Sequence, residues 1–232
     1  MEPDGEEARR SRGARSEPVR SDTMIVRRAT SDDMVRLSVT AMRAFADDPV
    51  MRWLHPDDDR YFSTDGAIFH GAMAGWLRLG EVWCTDDAAA LAVWIPPGRP
   101  EIPDDPDAAP SPPPSPDLLD RYGIIGTLMD EHTPAEEHWY LQLLATHPDW
   151  QRQGLGAALM AAMFERADAE GLACHLETET TQNVAYYRRH GFDVVSEFDV
   201  PSGDHVHRFS SWGGDPTTEI GPHMWAMTRP AR

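Results

Sequence analysis

Apolar residues recur along this chain with two periods, and the points where the period changes mark its elements. Met24, Ile25 and Val26 lead into Arg27 and Arg28 as a first strand. Thr30, Ser31 or Asp32 then caps a helix carrying Met34, Leu37, Ala41 and Phe45, which Asp48-Pro49 breaks. Helical spacing returns from about residue 62 to 79 with Ile68, Met73, Trp76 and Leu77, and Gly80 stops it. Residues 81–84 and 89–95, separated by Asp86-Asp87, read as a hairpin. Residues 118–129 are helical, and the apolar run 139–146 is a fourth strand. Leu155, Ala158, Leu159, Ala162 and Met163 mark the next helix, and residues 174–178 a fifth strand. A helix from Asn183 ends at Gly191 and turns through Phe192 into the last strands.

Between the fourth strand and its helix stands Gln151-Arg152-Gln153-Gly154-Leu155-Gly156. Glycines at 154 and 156 remove Cβ atoms that would hold an anion away, so the first N–H groups of the helix are free to point at phosphate. This makes the turn a candidate pyrophosphate cradle. Taken by itself, it reads equally well as a strand-to-helix turn with glycines for close packing.

Composition narrows the picture. A chain of 232 residues with 41% apolar content buries a sizeable core. We expect a single domain over residues 23–232, preceded by a disordered tail over residues 1–22, which mix Glu, Arg, Ser, Gly and Pro without periodicity. Residues 96–116 hold ten prolines and form an extended insert. No apolar run is long enough to span a bilayer and the first twenty residues are charged, so a soluble, cytoplasmic protein is expected, with no membrane partner. Cys84 and Cys174 are read as core thiols. The formal charge of −18 argues against nucleic acid and for a cationic small molecule. His205-x-His207 has metal-ligand spacing but no third ligand, so no metal is expected.

The ordered set Leu144-Ala145-Thr146-x-Pro148, then Gln-x-x-Gly-x-Gly, then Asn183-x-x-x-Tyr187-x-x-x-Gly191-Phe192 resembles the GCN5-related N-acetyltransferase (GNAT) superfamily. Within it, His138-Trp139-Tyr140-Leu141, Leu176-Glu177-Thr178, Asn183 with Tyr187, and the late Val200-Pro201 with Trp225-x-Met227-Thr228 are similar to the puromycin N-acetyltransferase branch. The likeness runs over about residues 24–229, and its specific part is 138–192.

The resemblance implies an α/β (α+β) GNAT fold: a mixed, mostly antiparallel twisted sheet of six to seven strands flanked by helices and splayed between the fourth and fifth. It implies an enzyme that moves an acetyl group from acetyl-CoA to the amine of a small molecule, aminonucleoside-like or antibiotic-like, by direct attack in a ternary complex. The cofactor-binding positions fall on Leu144, Ala145 and Thr146 of the fourth strand, on Arg152, Gln153, Gly154, Leu155, Gly156 and Ala157 of the turn, and on Asn183, which binds the cofactor arm or caps its helix. Tyr187 takes the place of the general acid toward the thioester sulfur, and Glu177 that of the base. Glu179, His138 and His175 are further candidate bases. Tyr186, turned about 100° away from Tyr187, is assigned to packing. Acceptor choice falls on residues 43–80, where Trp53, Tyr61, Phe62 and Trp76 are a candidate aromatic wall, and on the long connection 202–222. A peptide α-amine acceptor, or a non-catalytic CoA- or ligand-binding sensor, are the alternatives; the assembly is read as a monomer or homodimer.

Overall fold

The computed structural model describes residues 25–62, 67–102, 114–201 and 220–232. The expectations for the tail 1–22, the middle of the proline-rich insert, His205-x-His207 and most of the 202–222 connection lie outside the described residues.

Seven strands form one sheet in the order β1-β2-β3-β4-β5-β7-β6. They are β1 (Val26–Arg28), β2 (Val82–Thr85), β3 (Ala90–Ile95), β4 (His138–Thr146), β5 (Ala173–Thr178), β6 (Asp193–Pro201) and β7 (Ile220–Arg229). Every neighbouring pair is antiparallel except β4 and β5. The helices are α1 (Met34–Ala44), α2 (Pro49–Leu54), α3 (Asp58–Tyr61), α4 (Ala67–Leu79), α5 (Pro116–His132), α6 (Leu155–Glu170) and α7 (Thr181–Arg189).

Capping chemistry accounts for several boundaries. Asp48 and Pro49, read from sequence as a breaker, also start α2: the Asp48 carboxylate accepts the Met51 N–H at 2.8 Å and proline occupies the first turn. The last proline of the insert likewise lies inside α5, behind the cap Ser115. The cap of α7 is Thr180, whose hydroxyl accepts the Asn183 N–H at 3.1 Å. Asn183 therefore sits within the first turn and does not cap the helix.

Two layers of core cover the sheet. On one face α1 and α4 pack Leu37, Ala41 and Met73 against Leu91, Val93, Leu143 and Ala145. On the other, α6 and α7 pack Leu159, Met160, Met163 and Tyr187 against Trp94, Trp139, Leu141 and Leu176. Strand side chains alternate with a period of two, so Trp139, Leu141, Leu143 and Ala145 should share one face. They do not, because the register with β3 steps from Trp94↔Leu141 to Val93↔Leu143 and leaves Gln142 as an extra residue. This bulge turns the second half of β4 over and leaves Gln142 exposed at its centre.

Candidate active site

The two parallel strands part almost at once. They pair only at His138↔Ala173, Trp139↔Cys174 and Tyr140↔His175, although β4 continues to Thr146 and β5 to Thr178. Beyond Tyr140, the β5-facing backbone edge of β4 is unpaired with β5, and an unpaired edge is a template for another extended chain. Leu144, Ala145 and Thr146 lie on this edge; their other edge is paired with Ala92, Leu91 and Ala90 of β3.

The glycine turn follows. Arg152 (φ 61°) and Gly154 (φ 84°) both adopt the left-handed conformation, and Gly154 sits at the N-cap of α6. For arginine this conformation is strained, and such strain is held where the surrounding chain over-determines it. Leu155, Gly156 and Ala157 occupy the first turn of α6, where N–H groups have no intrahelical carbonyl and carry the positive end of the helix dipole. At Gly156 the close-packing reading of the glycines applies. A Cβ there would lie 2.9 Å from the Tyr186 hydroxyl and 3.5 Å from the Leu144 side chain, so it faces packed protein rather than an approaching anion. Tyr186 is thus the prop of the turn. Arg152 and Gln153 are exposed beside it, and Asn183 is half-buried on α7.

On the far side of the notch lies a cleft of about 360 Å³, within the span of small-molecule sites. Its walls come from α2, α4, α5, β4 and the end of the α1–α2 connection, and include Phe45, Met51, Phe69, Trp76, Tyr122 and Met129. Of the aromatic wall expected from sequence, only Trp76 lines the cleft. Trp53 and Tyr61 are buried in neighbouring core and Phe62 is exposed. Phe45, Phe69, Tyr122 and Tyr140 supply the aromatic surface instead. Tyr122 is steadied by a 3.1 Å hydrogen bond between its hydroxyl and Nε2 of His55.

Three carboxyl groups, Asp48, Glu177 and Glu179, open onto this cleft. Glu177 is held on both oxygens. Tyr140 donates its hydroxyl to Oε2 at 2.6 Å, and His175 Nε2 lies 3.1 Å from Oε1. The Glu177 side chain is 1% exposed and His175 is fully buried, so Glu177 is no solvated strand end. With Nε2–H donating to Glu177, Nδ1 of His175 accepts the Thr228 hydroxyl at 2.9 Å. Burial, the Glu177 charge and the hydrogen bond all hold the Tyr140 phenol far above its ordinary pKa. His138 stands edge-on to His175, its Nδ1–H donating to the Glu136 carbonyl at 2.7 Å. Burial pushes its pKa down, which keeps it neutral. Tyr187 is buried between the Phe192 ring and the sheet, with burial first and the nearby Glu179 second in raising its pKa.

Asp48 is the group that sequence reading missed as part of the site, because its helix-starting pattern accounted for it completely. Among the described residues no three or more His, Cys, Asp or Glu side chains are placed so that they could hold a metal ion.

Residues 119–194 match the family described as Acetyltransferase (GNAT) domain. The chain superposes on a histone acetyltransferase HPA2 and related acetyltransferase from Corynebacterium glutamicum, with TM-score 0.59, 23% identity, and 90% of this chain and 97% of that one covered. Arylalkylamine N-acetyltransferase 2 from Aedes aegypti superposes with TM-score 0.59 at 11% identity over 91% of this chain and 100% of its own. A mosquito arylalkylamine N-acetyltransferase like 5b does so with TM-score 0.55 at 12% identity over 90% and 100%. At these identities the likeness is one of fold, and the fold is that of the GNAT acetyltransferases, mixed sheet and strand-four/strand-five splay included.

Proposed function

We propose that this protein is an acetyl-CoA-dependent N-acetyltransferase whose acceptor is a small primary amine carried on an apolar body. The observation that carries the reading is the notch beyond Tyr140↔His175, with the glycine turn on one side and the carboxyl-lined cleft on the other. An extended donor pairing with the free edge of β4 along Leu144, Ala145 and Thr146 would run toward the α6 N-terminus. There the N–H groups of Gly154, Leu155, Gly156 and Ala157 suit a pyrophosphate, and Arg152 and Gln153 lie beside it. Acetyl-CoA supplies the activated acyl thioester.

The chain's own residues do the rest. The cleft holds the amine beside the notch, and fixing two reactants in one geometry accounts for much of the barrier reduction in such transfers. A carboxyl group of the cleft relieves the ammonium of a proton. Tyr187, protonated across the neutral range, is the proton donor for the departing thiolate.

Walls drawn from α2, α4 and α5 favour a small molecule over a peptide, which needs an open groove. The acceptor named for two fold neighbours, an arylalkylamine, fits the aromatic surface of Phe45, Phe69 and Trp76. An aminonucleoside such as puromycin also carries an aromatic group near an amine and remains a member of the class. The test is release of free thiol from acetyl-CoA against a panel of 2-phenylethylamine, puromycin, a polyamine and an alanine-starting peptide. Faster release with the aromatic amines is expected, and release that no amine accelerates would overturn the reading.

A further inference from the structure

Glu177 is the obvious base from sequence, but both of its oxygens already accept protein hydrogen bonds. Asp48 and Glu179 are placed differently. Asp48 comes from the α1–α2 connection and Glu179 follows the last residue of β5, so two distant segments meet in the same cleft. Both carboxyls line it close enough for each to act on the other's titration. Two carboxylates have no donor between them, so a hydrogen bond joining the two needs a proton.

The groups around the pair are Glu177 on β5, Tyr140 on β4, Tyr187 on α7 and Tyr61 on α3, with the Arg52 guanidinium over the Tyr61 ring. Burial and the second carboxyl push Glu179 well above the carboxylate range, and burial raises Asp48 as well. Asp48 also accepts backbone N–H groups of Val50 and Met51 at the start of α2, which favour its ionised form. The pair therefore titrates as a unit, carrying one proton on Glu179 and one negative charge.

We infer that the Asp48 and Glu179 carboxyls together seat the acceptor's ammonium and take its proton, while Glu177, locked by Tyr140 and His175, orients the cleft. The inference rests on the acetyl-transfer reading above and gives it a proton acceptor. An entering R–NH3+ sits against the negative pair with its body on the apolar walls. One N–H bond breaks, its electrons stay on nitrogen, and the proton passes to the ionised carboxyl, leaving the pair doubly protonated and neutral. The freed lone pair attacks the thioester carbon: a C–N bond forms, the C–S bond breaks with its electrons on sulfur, and the thiolate takes a proton from Tyr187. The second N–H proton of the amine restores Tyr187, and the pair returns its extra proton to solvent.

The experiment compares wild type with Asp48→Asn, Glu179→Gln and Glu177→Gln, using 2-phenylethylamine and acetyl-CoA across pH. Asparagine caps helices as well as aspartate, so Asp48→Asn keeps α2 intact, and CoA affinity reports folding in every variant. Asp48→Asn, which removes the ionised carboxyl, is expected to lower kcat/KM at neutral pH by about 10²-fold or more, the size of a lost general base, and Glu179→Gln, which leaves that charge but takes away its proton-sharing partner, by less. The deficit should shrink as pH rises and the free amine becomes neutral by itself. The double variant should be no worse than Asp48→Asn alone, since the two act as one unit. Wild-type pH profiles in both, with the loss appearing in Glu177→Gln instead, would overturn the assignment. If wild type acetylates no amine, 2-phenylethylamine binding is read through tryptophan fluorescence. Binding lost in Asp48→Asn would keep the pair as an amine reader while the acetyl-transfer reading falls, and equal binding would sink both.

Discussion

The hydroxyl of Tyr186 occupies the place where a side chain on Gly156 would begin, 2.9 Å from the position of a Cβ. Arg189 lies over the same ring at 5.7 Å and His190 tilts against it at 4.7 Å, so α7 presses a braced aromatic group onto the turn that opens α6. Gly156→Ala should therefore act through Tyr186. Overpacking of this kind costs about 1–3 kcal/mol, and we expect a lower Tm together with CoA affinity weakened about tenfold. Combining it with Tyr186→Phe, which removes the clashing oxygen, should restore much of both. Failure of that rescue in CoA titrations would place the constraint elsewhere. Gly154→Ala differs: no atom lies within 4 Å of its Cβ, and its cost is the left-handed backbone, about 1–2 kcal/mol, which Tyr186→Phe will not relieve.

The Tyr140 hydroxyl is the donor to one oxygen of a carboxylate that is 1% exposed. Tyr140→Phe keeps the ring, and with it the stacking on His175, but leaves Glu177 Oε2 without that donor. Hydrogen bonds to charged groups contribute about 1.5–3 kcal/mol. For a chain of this size the Tm should drop by about 3–12 °C, and a melting curve checks it. Adding Glu177→Gln should recover part of the loss, because the buried charge is then gone. A variant as stable as wild type would show that water replaces the phenol.

How much of this was legible beforehand depended on whether a feature is local. The helices α1, α6 and α7, the β2–β3 hairpin and the glycine turn are written in periodicity and turn chemistry within a dozen residues. The bulge at Gln142 was not, since a polar residue in an apolar run looks like an ordinary outward position until the β3 register is known. Nor was the clamp on Glu177. His175 is two residues away on the same strand, but Tyr140 is 37 residues off and reaches Glu177 only through the parallel pairing with β5. The aromatic wall failed for a similar reason. Trp53 and Tyr61 have the composition of a binding surface, and only packing decides that they belong to the core. Asn183 was read as a possible cap by residue type; Thr180, which that reading did not name, takes the place because β5 ends at Thr178.

Tyr187 is 8% exposed and its phenol is pushed up chiefly by burial, so it remains protonated across the neutral range. Tyr187→Phe is expected to reduce kcat by about 10²-fold while CoA affinity stays close to wild type, since only a hydroxyl is lost. No limb of the wild-type pH profile below pH 9 should belong to this residue. Unchanged turnover in the variant would remove Tyr187 from the acid role.

The two cysteines should be silent in the native state. Cys84 and Cys174 are wholly buried, and burial lifts their thiols to about 11 and about 12. At pH 8 the folded protein should resist iodoacetamide, whereas in guanidinium it should take up two labels per chain. Rapid native labelling, read by mass spectrometry, would mean that the sheet opens around β2 or β5.

Asp168 and Arg229 join the C-terminal part of α6 to the last strand through two parallel hydrogen bonds, each 2.8 Å, with the Arg232 N–H adding a third at 2.9 Å. The guanidinium is 4% exposed, and its hydrogen bonds hold the Asp168 pKa down to about 2. An unfolded aspartate titrates near about 3.9, so the fold favours the ionised form. The contribution is therefore present in full above about pH 4, fades as the pH falls toward 2, and is gone below it. Asp168→Asn should melt below wild type at pH 7, and the gap should close as the pH is lowered through that window. A gap that stays constant from pH 7 to pH 2 would mean that packing, and not charge, is what Asp168 contributes. Subtracting the variant's curve from the wild-type curve isolates this residue from Asp33, whose pKa the Arg27 guanidinium lowers in the same direction.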